Sequence, residues 1–120
     1  MGSALQLLGE ISSDQQRGIQ FLSEAIEQFQ TALSQIDKER AKAVWARIEE
    51  HLGGALVALA EKKGERKLLE EAVTAFEAAL TIKTRQRNAT DWAWLQNALC
   101  YTSALLGKHD KSVTLSLIHI

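Results

Sequence analysis

The sequence contains no proline at all, so nothing in it forbids the continuation of a helix. A single cysteine, Cys100, excludes an intrachain disulfide. Cys100 falls in an apolar helical pattern and is expected to be a small buried residue rather than a nucleophile. A basic surplus is also missing. Fourteen Lys and Arg stand against fifteen Asp and Glu, a net charge of −1, and nucleic-acid binding is not expected without a basic face. The short basic runs Lys62-Lys63 and Lys83 to Arg87 read as solvated helix ends. No apolar run has the length of a membrane span. Met1 to Leu8 has neither the basic start nor the long apolar core of a secretory signal. The expected location is cytoplasmic, which leaves the sequon Asn88-Ala89-Thr90 chemically idle.

What is abundant is Ala, Leu, Glu, Gln, Lys and Arg, the better helix formers. They are arranged in a repeat. Leu22, Glu24, Ala25, Phe29, Ala32, Leu33, Arg40, Trp45, Ala46 and Leu52 form one series. Adding 47 to each number gives Leu69, Glu71, Ala72, Phe76, Ala79, Leu80, Arg87, Trp92, Ala93 and Leu99, the same residue types without a gap. Leu59 and Leu106 continue the match. Self-similarity at such a period marks a stacked array of helical units.

Each series also has helical spacing. Ile19, Leu22, Ile26, Phe29, Leu33 and Ile36 recur at three and four, as do Trp45, Ile48, Leu52, Leu56 and Leu59. The second copy repeats this with Leu69, Val73, Phe76 and Leu80, then Trp92, Leu95, Leu99, Thr102 and Leu106. One apolar stripe thus runs along each helix and must be buried against a neighbour. The unit is a helix pair, a Trp-bearing helix A and a Phe-bearing helix B. Ala25, Ala32, Ala72 and Ala79 beside the phenylalanines allow the close approach that dense packing needs. Gly53-Gly54 within helix A is expected to do the same.

Breaks are expected at Ser12-Ser13-Asp14 with Gly18, at Lys62-Lys63-Gly64, and at Asn88 to Asp91, where Thr90 or Asp91 can cap the next helix. Between Leu33 and Trp45, either a bent long helix or a tight turn near Asp37 fits. The expected order is a partial helix A at 1–10, helix B at 18–37, helix A at 42–60, helix B at 66–87 and helix A at 91–107. Residues 1–113 then form one helical repeat unit.

These residues resemble a tetratricopeptide repeat. The matching helix A runs are Leu52-Gly53-Gly54-Ala55 and Leu99-Cys100-Tyr101-Thr102, with Gly107 after the second. The matching helix B residues are Ala25, Phe29, Ala32, Leu33 and Ala72, Phe76, Ala79, Leu80. The likeness runs from Met1 to about Lys111. The usual unit has about 34 residues and a proline closing helix B. The longer period and missing proline resemble the long-period bacterial variety, often part of large multidomain proteins. At Cys100, Thr102 and Ser103 the last helix A departs from the pattern. The resemblance implies an all-α fold in which antiparallel helix pairs stack as a right-handed superhelix. It implies a protein or peptide partner held on the concave face that helix A lines.

Both ends bear on these expectations. In residue pattern, Met1-Gly2-Ser3-Ala4-Leu5 matches the run that begins at Leu52, so the array either starts mid-helix or begins with a shortened capping helix. Residues 114–120 are a tail. Leu115 to Ile120 spell Leu-Ser-Leu-Ile-His-Ile, one reading frame of a transposon-end sequencing adapter. They are expected to be adapter read-through, the other reading being a genuine apolar tail. With two full B helices against the about three repeats that stability normally requires, the chain is expected to be marginally stable and to self-associate through its terminal helices.

Catalysis needs convergent groups. His51, His109 and His119 are far apart, and no pair has metal-ligand spacing. Glu49-Glu50 and Glu70-Glu71 fall opposite the stripes and read as solvated. No phosphate loop or nucleophile motif is present. The sequence points to no enzyme activity, metal or cofactor. The family's groove positions, carried onto helix A, are Arg47, Glu50, His51 and Gly54 in the first full copy. In the second they are Trp94, Asn97, Ala98 and Tyr101. Trp94 and Tyr101 lie off the stripe. They are either partner-binding aromatics or residues that pack on a following helix B. The function implied is a protein-interaction scaffold. The alternative is a structural spacer, or a regulatory or sensor segment of a larger multidomain signalling protein or enzyme.

Overall fold

A computed structural model describes the backbone of residues 2–118 and the side chains of residues 14–108. Among these it is all-helical, with α1 (Gly2–Gln35), α2 (Lys42–Lys63), α3 (Arg66–Leu80) and α4 (Ala89–Ile118), and no strand. Consecutive helices are antiparallel. Gly18 near the middle of α1 meets Lys62 at the end of α2. Phe76 of α3 meets Gly53 of α2 and Trp94 of α4.

The stripes produce this packing. Ile26 of α1 is buried, with Ile19, Leu22, Phe29 and Leu33 packed beside it. On α2 a wider surface is covered, comprising Ala46, Leu52, Gly53, Leu56, Val57, Leu59 and Ala60. The reason is position, since α2 touches α1, α3 and α4, whereas among the described residues α1 touches α2 alone. On α3, Leu69, Ala72, Ala75, Phe76 and Ala79 are buried. Leu95 and Thr102 of α4 complete the core. Ala72, Ala75 and Ala79 of α3 do what their size suggests, being covered almost completely by the adjacent helices.

The recurrence extends to the two turns that precede the Trp-bearing helices. Ile36, Ala41 and Trp45 donate backbone N–H bonds to Ala32, Asp37 and Ala41. Their counterparts 47 residues on, Lys83, Asn88 and Trp92, donate to Ala79, Thr84 and Asn88. Lys38 lies over the Trp45 ring at 4.3 Å, and Arg85 lies over the Trp92 ring at 5.7 Å. Side chains fold the backbone back in both turns. Asp37 accepts from the Glu39 N–H, and the Thr84 hydroxyl accepts from the Arg87 N–H. The stretch from Leu33 to Trp45 is therefore a turn at Asp37. The third break lies where expected, at Gly64, whose left-handed φ of 69° closes α2 with its N–H on the Ala60 carbonyl.

Four expected boundaries differ. No break occurs at Ser12 to Gly18, and the partial helix A and the first helix B form one continuous α1. Serine, aspartate and a single glycine are weak breakers, costing up to about 1 kcal/mol each relative to alanine, and without proline nothing stops the helix. The second helix B ends at Leu80 and not near Arg87. There Thr81 and Ile82 donate to carbonyls three residues back, and the Thr81 hydroxyl bonds the Ala78 carbonyl, which tightens and closes the last turn. The final helix begins at Ala89, placing Thr90 and Asp91 in its first turn rather than at its cap, and runs past Gly107 to Ile118. The side chains of 1–13 and of the expected tail lie outside the described residues, as do His119 and Ile120 entirely.

Candidate functional site

A concave feature among the groove positions lies where α2, α3 and α4 converge. Phe76 rises from α3 between the two Trp-bearing helices. Toward α2 its ring lies against Gly53, so closely that a Cβ there would stand 2.5 Å from it. Toward α4 it meets Trp94 edge-on, with centroids 5.9 Å apart. Gly53 has to be glycine because this ring occupies its side-chain space. Its neighbour Gly54 has nothing within 4 Å, and that space is the pocket. It has a volume of about 300 Å³ and is lined by Gly54, Val57, Phe76, Trp94, Asn97, Ala98, Tyr101 and Thr102. The size is at the low end for a ligand site, and the walls are largely apolar with few polar groups, as such sites are.

Trp94 and Tyr101 form the outer wall and are each 51% exposed. They project from α4 two turns apart. The Tyr101 hydroxyl donates to the Glu61 carboxylate at 2.9 Å, spanning from α4 to the end of α2. That bond raises the phenol above its usual titration range, because ionising it would break the donation and set two negative charges together. At the base, Thr102 is fully buried and its hydroxyl donates to the Ala98 carbonyl of its own helix at 2.7 Å. The threonine that stands at Thr102 in place of Ala55 is thus accommodated without an unpaired polar atom.

Of the eight groove positions that the resemblance implies, Gly54, Trp94, Asn97, Ala98 and Tyr101 line this pocket, and Arg47, Glu50 and His51 do not. His51 is exposed and stacks on Phe29 of α1, with centroids 6.0 Å apart and planes 19° apart. Phe29 is the counterpart of Phe76. His51 therefore holds, one repeat earlier, the position of Ala98, and the first copy repeats part of the same wall. A pocket requires two Trp-bearing helices flanking one Phe-bearing helix, and α1 has such a helix on one side only.

Glu50 is not the solvated residue expected. It is half-buried, and its Oε1 is enclosed without a hydrogen-bond partner. Desolvation raises its carboxyl above the ordinary range, and the nearby Asp91 charge adds to the rise, while Lys83, His51 and Arg47 oppose it. Glu49 is also half-buried and raised by desolvation, with Lys38 opposing. Lys83, expected at a solvated helix end, is only 8% exposed, and its ammonium lies 3.0 Å from Asp91. Both residues are drawn in by their position in the stack, because the turn before α4 folds back beside α2. Sequence reasoning missed this group because Ile36 and Val44 hold the positions of Lys83 and Asp91 in the other copy.

Cys100 also differs from expectation, being exposed. It holds the repeat position of Gly53, which is covered only because α3 follows α2. No described helix lies over α4 at that point. No group of three or more His, Cys, Asp or Glu capable of holding a metal occurs among the described residues. No described helix is long and apolar enough to cross a membrane. Compared with known proteins, the chain matches no family model, no curated protein and no solved structure.

Proposed function

We propose that the chain is a protein-interaction module of tetratricopeptide-like helix pairs, holding a peptide or protein segment in the pocket between its two Trp-bearing helices. One observation carries this reading. Trp94 and Tyr101 stand half-exposed around an apolar recess of about 300 Å³ whose floor, Phe76, is already buried. Exposed aromatics beside a preformed apolar recess favour capture of an apolar side chain, and aromatic anchors carry much of the energy in protein interfaces. Asn97 at the rim supplies an amide that can pair with a bound backbone. In the proposed superhelix this face is the concave one, and Arg47, Glu50 and His51 continue it.

The test uses a displayed library of random peptides, selected on the chain. Peptides that bind are expected to lose at least about tenfold in affinity, about 1.4 kcal/mol, when Trp94→Ala and Tyr101→Ala are combined. Helicity by circular dichroism should stay near the wild-type value. Val44→Ala, at an exposed site remote from the recess, should have no effect. A collapse of helicity in the double variant would assign both aromatics to packing. Peptides indifferent to it would place binding elsewhere and favour the spacer reading.

A further inference from the structure

We propose that the chain associates head to tail with a second copy of itself, α1 of one molecule seating on the open face of α4 of another. The register is the one by which α3 seats on α2.

The 47-residue recurrence defines both faces. Helix α4 is α2 one repeat later, and α1 from residue 18 is α3 one repeat earlier. On α2, Gly53 and Leu56 are buried beneath α3; at the same positions of α4, Cys100 and Ser103 are exposed. On α3, Phe76 and Ala79 are buried between two helices; at the same positions of α1, Phe29 and Ala32 are half-covered. Two faces that meet inside the molecule are therefore each presented once more, uncovered among the described residues. They are unlike each other, so the contact is heterologous and leads from one copy to the next.

Side-chain chemistry favours a second copy. In the internal contact Glu49 and Glu71 line one cleft. Between copies their counterparts are Gln96 and Glu24, an amide and a carboxylate, which can pair in a hydrogen bond as two carboxylates cannot. Depth opposes it in part. A Cβ at Gly53 would stand 2.5 Å from the Phe76 ring, and Cys100 already has one. Phe29 therefore sits less deeply over Cys100 than Phe76 does over Gly53, and the native association is weak. Its consequence, which rests on the groove reading above, is a second recess. Phe29 would form its floor, Arg47 and His51 its wall, and Tyr101 of the other copy would take the place of Gly54.

The test uses the whole chain and its single native cysteine. Gln28 is exposed and is the counterpart of Ala75, which lines the cleft with Leu52 and Leu56. With Gln28→Cys, a short bis-maleimide is expected to join the introduced thiol of one copy to Cys100 of the next and give a ladder of dimers and higher species. Ser34→Cys, on the outer side of α1, should give no ladder. Cys100→Gly, which restores the internal geometry at an exposed site, should lower the dissociation constant by about tenfold in sedimentation equilibrium. The proposal is overturned by an absent ladder with Gln28→Cys, or by wild-type dimers linked Cys100 to Cys100, which would mean two α4 faces back to back. Equal affinities of wild type and Cys100→Gly would overturn it too. None of these results affects the peptide test, so the two readings fail separately.

Discussion

Adjacent glycines in α2 show how much depends on one neighbouring ring. Gly53 faces Phe76 and Gly54 faces open space. Gly53→Ala is expected to cost roughly 1–3 kcal/mol, the usual penalty for overpacking a filled site, although alanine is the better helix former. Gly54→Ala should instead gain up to about 1 kcal/mol from helix propensity. Thermal or urea unfolding of the two variants should move in opposite directions. Glu50 gives a second residue-scale prediction. Its carboxyl is raised in the fold by desolvation first and by Asp91 second. The folded state therefore holds more protons than the unfolded state between the ordinary glutamate value, about 4.3, and the raised one. Stability from this group falls as pH climbs through that window and stays reduced above it. Glu50→Gln should raise the melting temperature at pH 8, with the gain vanishing near pH 4. A gain that persists at pH 4 would trace to packing and not to charge.

Elements follow from periodicity more reliably than from punctuation. The stripe from Ile19 to Leu33 announces a helix, and one forms. The Ser-Ser-Asp run and Gly18 announce a break, and none forms. A turn replaces a helix when the peptide must fold back, as at Asp37 and Thr84, where side-chain oxygens and sheltered tryptophans hold it. Gly18 lacks such partners. A Cβ there would meet only the flexible end of Lys62, at 3.3 Å. Gly18→Ala should therefore stabilise α1 by up to about 1 kcal/mol, because the lysine can move aside. A loss of helicity or stability in this variant would mean that the glycine is needed for a bend. The early end of α3 has the opposite cause, with Thr81 closing the turn before the basic run can extend it.

Across the whole molecule, stability should follow how many sides of each helix are covered. Both α2 and α3 lie between neighbours, whereas among the described residues α1 has α2 alone. Amide hydrogen exchange is expected to be slowest in α2 and α3 and faster in residues 18–35 of α1, since local opening tracks the buried area lost. Protection of α1 that rises with protein concentration would match its being covered by another copy. Uniform protection through all three helices at high dilution would contradict this order.

Much of this was legible in the residues. The two series 47 apart foretold the helices and their stripes, because these depend on spacing along a single helix. The sequence by itself determined that the chain is helical and which face of each helix is apolar. It left open whether a bent helix or a turn lies near Asp37, and the fold makes it a turn. Only the tertiary structure decided which neighbours cover each face. Glu50 and Lys83 are drawn inward because a turn folds beside α2, and Gly53 is filled because Phe76 comes next. Cys100, at the same place in the repeat, stays exposed because no described helix follows to cover it. Burial is a property of the neighbour, and spacing along one helix does not specify the neighbour.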